Sequence, residues 1–130
     1  MISGHALEGV MAGCAVFAGL ETSLTPDAMR ALQQWTVDIG DRRVMAGVHY
    51  PTDSFASWIV ALDMADRVFP GGSVKSVRRF LAAAIRERSH VYAYMKERID
   101  NDATARDGGC AYTSSWTCLS AALDQALSET

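Results

Sequence analysis

With 130 residues the chain has room for one domain, since single cores usually span about 100 to 150 residues. Hydrophobic residues make up 49% and charged residues 21%, a balance that excludes a disordered chain and permits a buried core. A formal net charge of −3 argues against broad nucleic-acid binding, because proteins that track phosphate backbones carry a strong basic excess.

Helical spacing prevails throughout and no alternating strand pattern bounded by hairpin turns occurs, so the sequence predicts an all-α protein. The expected architecture is a bundle of about five helices in a single domain covering residues 1–130. Ser3 is placed to cap a first helix from about His5 to Leu20, with Ala6, Gly9, Ala12 and Gly13 as a small-residue face suited to close packing. Thr25-Pro26-Asp27 is a helix start, a hydroxyl cap followed by a proline at the first helical position. The second helix runs from about Pro26 into the forties, loosened at Gly40 and Gly47. Pro51 and Asp53 open a third, Pro51 to Phe69, whose apolar stretch Phe55 to Leu62 suits the centre of the bundle, and Pro70, Gly71 and Gly72 break it. Ser73 then caps one long fourth helix, in which Val74, Val77, Leu81, Ile85, Tyr92, Met95 and Ile99 form a core-facing stripe. Asn101 to Gly109 reads as a polar linker, and Ser114 or Ser115 starts a last helix carrying Trp116, Leu119, Ala122, Leu123 and Leu127.

No run reaches the ~18 to 20 apolar residues of a membrane-spanning helix, and Val10 to Leu20 is the nearest approach. No signal-peptide pattern is present, and the sequence gives no localisation. Cys14 sits in an apolar run. Cys110 and Cys118 leave open a disulfide, although isolated cysteines more often serve as small buried hydrophobes. Trp35, Trp58 and Trp116 fall in expected helices and read as core, and His90 as structural or exposed. Lys75, Arg78, Arg79, Arg86, Arg88, Lys96 and Arg98 make the fourth helix basic, which reads as a solvated face.

Two strings carry chemistry. Ser3-Gly4-His5 lies at a helix N-terminus, where unpaired backbone N–H groups and the positive end of the helix dipole favour an anion. An ordinary capped helix start followed by a surface histidine has the same sequence. In the second string Arg43, Gly47, His49 and Asp53 fall within eleven residues. An imidazole four residues before a carboxylate lets Asp53 accept the N–H of one ring nitrogen and frees the other as nucleophile or ligand. Arg43 supplies a planar, permanently charged fork suited to phosphate or vanadate oxygens, and Gly47 removes a side chain where helices or an oxyanion approach closely. A helix junction with a His–Asp cap interaction and an exposed arginine is the plainer account of this segment.

Taken together and in this order, the strings resemble the second and third motifs of the type-2 phosphatidic acid phosphatase family and its relatives, the bacterial acid phosphatases and vanadium haloperoxidases. Those motifs read Pro-Ser-Gly-His, and Ser-Arg, three residues, Gly, one residue, His, three residues, Asp. The resemblance covers residues 3–53, with Ile2 at the proline position and Arg42 at the serine position. It implies that His49 is the nucleophile forming a phosphohistidine, or the ligand anchoring vanadate, and that Asp53 orients it. It implies His5 as general acid and base, with Ser3, the Gly4 backbone N–H and Arg43 holding the equatorial oxygens.

The activity so implied is phosphate ester hydrolysis ahead of vanadium-dependent halide oxidation, with a non-catalytic helical remnant that binds phosphate as the rival. The partner is a phosphate ester or other oxyanion; no metal ion is implied, and no cofactor save vanadate in a haloperoxidase. The family's first motif, a lysine followed after six residues by Arg-Pro, occurs nowhere in the chain. The expectation is therefore the C-terminal part of a longer phosphatase- or haloperoxidase-like domain, or a shortened relative, weakly active by itself. Its first helix, deprived of upstream cover, would offer its small-residue face to a second copy in a homodimer.

Overall fold

The computed structural model describes residues 2–69, 74–101 and 115–130. Its six helices are α1 (Gly4–Leu20), α2 (Pro26–Met45), α3 (Pro51–Val68), α4 (Val74–Arg88), α5 (His90–Asn101) and α6 (Ser115–Ser128), with no strand among the described residues. The all-α bundle expected from the sequence is what forms, with six helices among the described residues against the expected five or so. The predicted linker and the caps at Ser73 and Ser114 lie outside the described residues, as do Cys110 and the Pro70–Gly72 break, and the side chains of Val74, Ile99 and Trp116 are likewise not described.

The helix starts follow local chemistry. Ser3 caps α1 by accepting the Ala6 N–H at 3.2 Å, and Thr25 caps α2 through the Ala28 N–H at the same distance. Satisfying one of the orphan donors of a first turn in this way stabilises a helix by about 1 kcal/mol. The helix α3 occupies the centre, packing on α1, α4 and α6 and also touching α2 and α5. It contributes Phe55, Trp58, Ala61, Leu62 and Ala65 to one continuous core, which Val10 and Cys14 of α1, Val37 of α2, Leu81 and Ile85 of α4, Met95 of α5 and Leu123 of α6 complete. Burial pushes the Cys14 thiol up to about 12, so this cysteine is an inert core residue. No helix among the described residues is long and apolar enough to cross a membrane.

Helices α1 and α2 meet through their smallest residues. A Cβ on Gly13 would come within 2.1 Å of the Thr36 hydroxyl, one on Gly9 within 3.2 Å of Ile39, and one on Gly40 within 3.0 Å of the Ala6 Cβ. Gly40 therefore serves contact and does not loosen α2, which runs unbroken past it. Ala12, expected on this face, is exposed instead. Because α2 already fills the face, the reason for expecting a homodimer there is removed.

The long fourth helix of the sequence reading is two helices, and the cause lies on α2. The buried Asp41 carboxylate accepts from the Ser89 hydroxyl at 2.8 Å and from the His90 backbone N–H at 2.7 Å, while Ser89 accepts the Tyr92 N–H at 3.0 Å. Ser89 thus caps α5 and Asp41 holds the cap. Burial raises the Asp41 pKa, against the lowering effect of its hydrogen bonds from Ser89 and His90. The apolar stripe survives the break, with Val77, Leu81, Ile85 and Met95 all buried.

Two side-chain expectations fail. Trp35 is 45% exposed, because the buried face of α2 is Gln33, Thr36, Val37, Gly40 and Asp41, and Trp35 stands about 200° round the helix from Gln33 and Val37. Arg78 is not part of a solvated face: its guanidinium donates to the Leu62 carbonyl at 2.8 Å and the Ala126 carbonyl at 3.0 Å, clamping α4 to α3 and α6. Lys96 reaches Asp124 on α6, whereas Arg79, Arg86 and Arg98 are exposed as expected. His90 is exposed as well.

Candidate functional site

The residues between α2 and α3 fold into a tight reversal whose spacing follows from its caps. Gly47 adopts φ +75°, the left-handed conformation that glycine accepts without penalty. Its N–H donates to the Val44 carbonyl at 2.9 Å and the Val48 N–H to the Arg43 carbonyl at 3.2 Å, the paired bonds of a Schellman helix end. A Cβ at Gly47 would meet nothing within 4 Å. The glycine is needed for its backbone angle, and the close approach expected there from the sequence is absent.

Four residues after Gly47, α3 begins. Pro51 takes the first helical position, and Asp53, at the third, turns its carboxylate back to accept the Tyr50 backbone N–H at 3.0 Å. The same oxygen, Oδ2, lies 3.0 Å from His49 Nδ1. Desolvation tends to raise the Asp53 pKa, but hydrogen bonds from the His49 ring and the Tyr50 backbone are among the influences that leave it lowered. An ionised carboxylate only accepts, so Nδ1 carries a proton, and in the neutral ring the lone pair is then on Nε2. With side-chain exposures of 19% for His49 and 10% for Asp53, the pair is sheltered and still open to a ligand.

The other string docks against this turn. The Ser3 N–H donates to the Ser57 hydroxyl at 3.0 Å and lies 3.5 Å from the Asp53 carbonyl. The N-terminus of α1 therefore rests on the first turns of α3, and residues some fifty positions apart in sequence share one end of the bundle. Gly4 and His5 are exposed there. Ser3 is wholly buried, so its hydroxyl serves the helix cap. Arg43, in the last turn of α2, is half-buried, and its Nε is buried with no hydrogen-bond partner among the described residues. A cation there also complements the C-terminal end of the helix dipole. Met45, Val48 and Tyr50, all exposed, put an apolar collar on the same turn.

No family model matches the chain, nor does any curated protein or solved structure. Two grooves lie elsewhere and touch none of these residues: one of about 400 Å³ between Phe17, Met29, Gln33 and Phe80, the other between Ile59, Asp63, Arg78 and Glu129. Ser57 had no place in the sequence reading. A serine inside an apolar helix gives no signal of its own, and only contact with Ser3 reveals its role.

The lowered Asp53 pKa has a consequence for stability. A carboxyl group whose folded pKa lies below its unfolded value contributes stability above the unfolded pKa and loses it as pH falls through the folded one. Unfolding free energy measured against pH should therefore decline on the acid side of the carboxylate range, and Asp53→Asn should flatten part of that decline. An identical acid limb in the variant would mean that the Asp53 contacts contribute nothing.

Proposed function

We propose that the chain is a phosphatase-like domain that hydrolyses phosphate esters through His49. The observation that supports this reading is the His49–Asp53 contact of 3.0 Å beside the docked N-terminus of α1, with the Arg43 guanidinium nearby in sequence and its Nε without a hydrogen-bond partner among the described residues. The Nε2 lone pair of His49 attacks phosphorus while the bond from phosphorus to the ester oxygen breaks. Protonated His5 gives its proton to the departing oxygen. Water, surrendering a proton to His5, then cleaves the phosphorus–nitrogen bond, releasing phosphate and restoring both histidines. Arg43 and the backbone N–H groups of the first turn of α1 stabilise the charge on the equatorial oxygens, and Ser3 contributes as the cap that fixes that turn.

The same donors suit vanadate, which when bound to His49 would supply halide oxidation. A helical remnant that binds phosphate without turnover is favoured by one observation, that helix caps alone account for Gly47 and Asp53. Orthovanadate titration followed by ⁵¹V NMR tests the site common to all three readings. One bound equivalent is expected, lost in His49→Ala and weakened in Arg43→Ala. No binding by the unaltered chain, or binding undiminished in His49→Ala, would overturn the assignment.

A further inference from the structure

We infer that Ser57 is a positioning residue of this site, tying the anion-facing end of α1 to the helix that carries Asp53; the inference rests on the proposed oxyanion site. Ser57 is wholly buried, one turn of α3 beyond Asp53. Its hydroxyl accepts the Ser3 N–H at 3.0 Å, and its own proton faces two acceptors, the Asp53 carbonyl at 2.8 Å and the Ser3 carbonyl at 3.0 Å. One small side chain therefore accepts from the N–H of the residue that caps α1, and shares its single proton between that residue's carbonyl and the carbonyl of the residue that orients His49.

The consequences are specific to the site. Ser3 is the last residue before α1, so a shift at Ser3 moves the Gly4 and His5 N–H groups relative to His49. Donors that stabilise an oxyanion work only when held in place before the ligand arrives. The direct contact between Ser3 N and the Asp53 carbonyl spans 3.5 Å, at the long limit of a hydrogen bond, so it cannot fix the spacing alone. The hydroxyl of Ser57 supplies the shorter contacts. An alanine there would leave the buried Ser3 N–H with only the long 3.5 Å contact to the Asp53 carbonyl, a condition that favours displacement of the α1 terminus over retention of the observed register.

Orthovanadate affinity is the test, measured on the full chain by ⁵¹V NMR at a temperature where circular dichroism shows every variant folded. Ser57→Ala should weaken vanadate binding roughly tenfold, the cost of about one well-placed hydrogen bond, and Ser57→Thr, which keeps the hydroxyl, should restore most of it. Ser128→Ala, which removes an exposed hydroxyl bonded to the Gln125 carbonyl, should leave affinity unchanged. If the alanine variant does not fold, Ser57→Cys carries the same comparison, its weaker donor and acceptor giving an intermediate loss. Unchanged affinity in Ser57→Ala or Ser57→Cys, alongside loss in His49→Ala, would overturn the role of Ser57 and leave the site standing. Absence of binding by the unaltered chain would overturn both.

Discussion

Gly13→Ala is expected to destabilise the protein by about 1 to 3 kcal/mol, the usual range for forcing a methyl group into a filled core. Two effects compete. Alanine is the better helix former, by about 1 kcal/mol in a helix interior, and this favours the variant. Against it, the new Cβ would stand 2.1 Å from the Thr36 hydroxyl oxygen, 2.7 Å from its methyl carbon and 2.8 Å from its Cβ. Thr36 cannot swing aside: it is β-branched, fully buried, and its hydroxyl donates to the Leu32 carbonyl at 2.6 Å. The helices must therefore separate, opening the α1–α2 seam along Gly9 and Gly40. Gly19→Ala supplies the opposite sign, since nothing lies within 4 Å of its added Cβ and only a helix-propensity gain of about 0.5 kcal/mol or less remains. Thermal unfolding of the two variants decides the matter. A Gly13→Ala protein as stable as the original would mean that α1 and α2 do not pack as described.

What the sequence made legible was what neighbouring residues decide. Ser3 before α1, Thr25-Pro26 before α2 and Pro51 at the start of α3 are local signals, so those boundaries fall where expected. The break at Ser89 was hidden because its cause, Asp41, lies 48 positions away, while the apolar stripe continues past it. Arg78 and Trp35 were misread for a related reason. Charge suggested solvent and aromaticity suggested core, but the face each residue occupies on its helix decides burial.

The motif string divides in the same way. Gly47 and Asp53 are required by the reversal itself, one for its left-handed angle and the other as the cap of α3. Any chain making this turn would benefit from them, so they add little to a chemical reading. His49 and Arg43 are different, because neither supplies a side-chain cap. The helix dipole favours a cation at Arg43 but does not require an arginine whose buried Nε has no hydrogen-bond partner among the described residues, nor a histidine whose Nδ1 is committed to a carboxylate, and the proposed chemistry rests on these two.

His49→Ala is expected to reduce hydrolysis of a phosphate monoester by at least ~1,000-fold, since removing a nucleophile abolishes the covalent route and leaves only the background supplied by the remaining donors. Arg43→Ala should cost roughly 100- to 1,000-fold, the effect of losing one preorganised contact to the transition-state oxyanion. Asp53→Asn, which keeps an acceptor for the His49 ring but not its charge, should cost at least about 10-fold, the low end for a carboxylate partner that orients a histidine. The role of His5 separates from these through the leaving group. A nitrophenolate departs without a proton, so His5→Ala should spare bond cleavage in nitrophenyl phosphate while slowing that of an alkyl phosphate by about 100-fold or more. With the nitrophenyl ester the same variant should show a burst, because water still needs His5 as base and the phosphohistidine at His49 accumulates. Equal losses on both esters without a burst would remove His5 from proton transfer, and hydrolysis that survives His49→Ala would remove His49 from the reaction altogether.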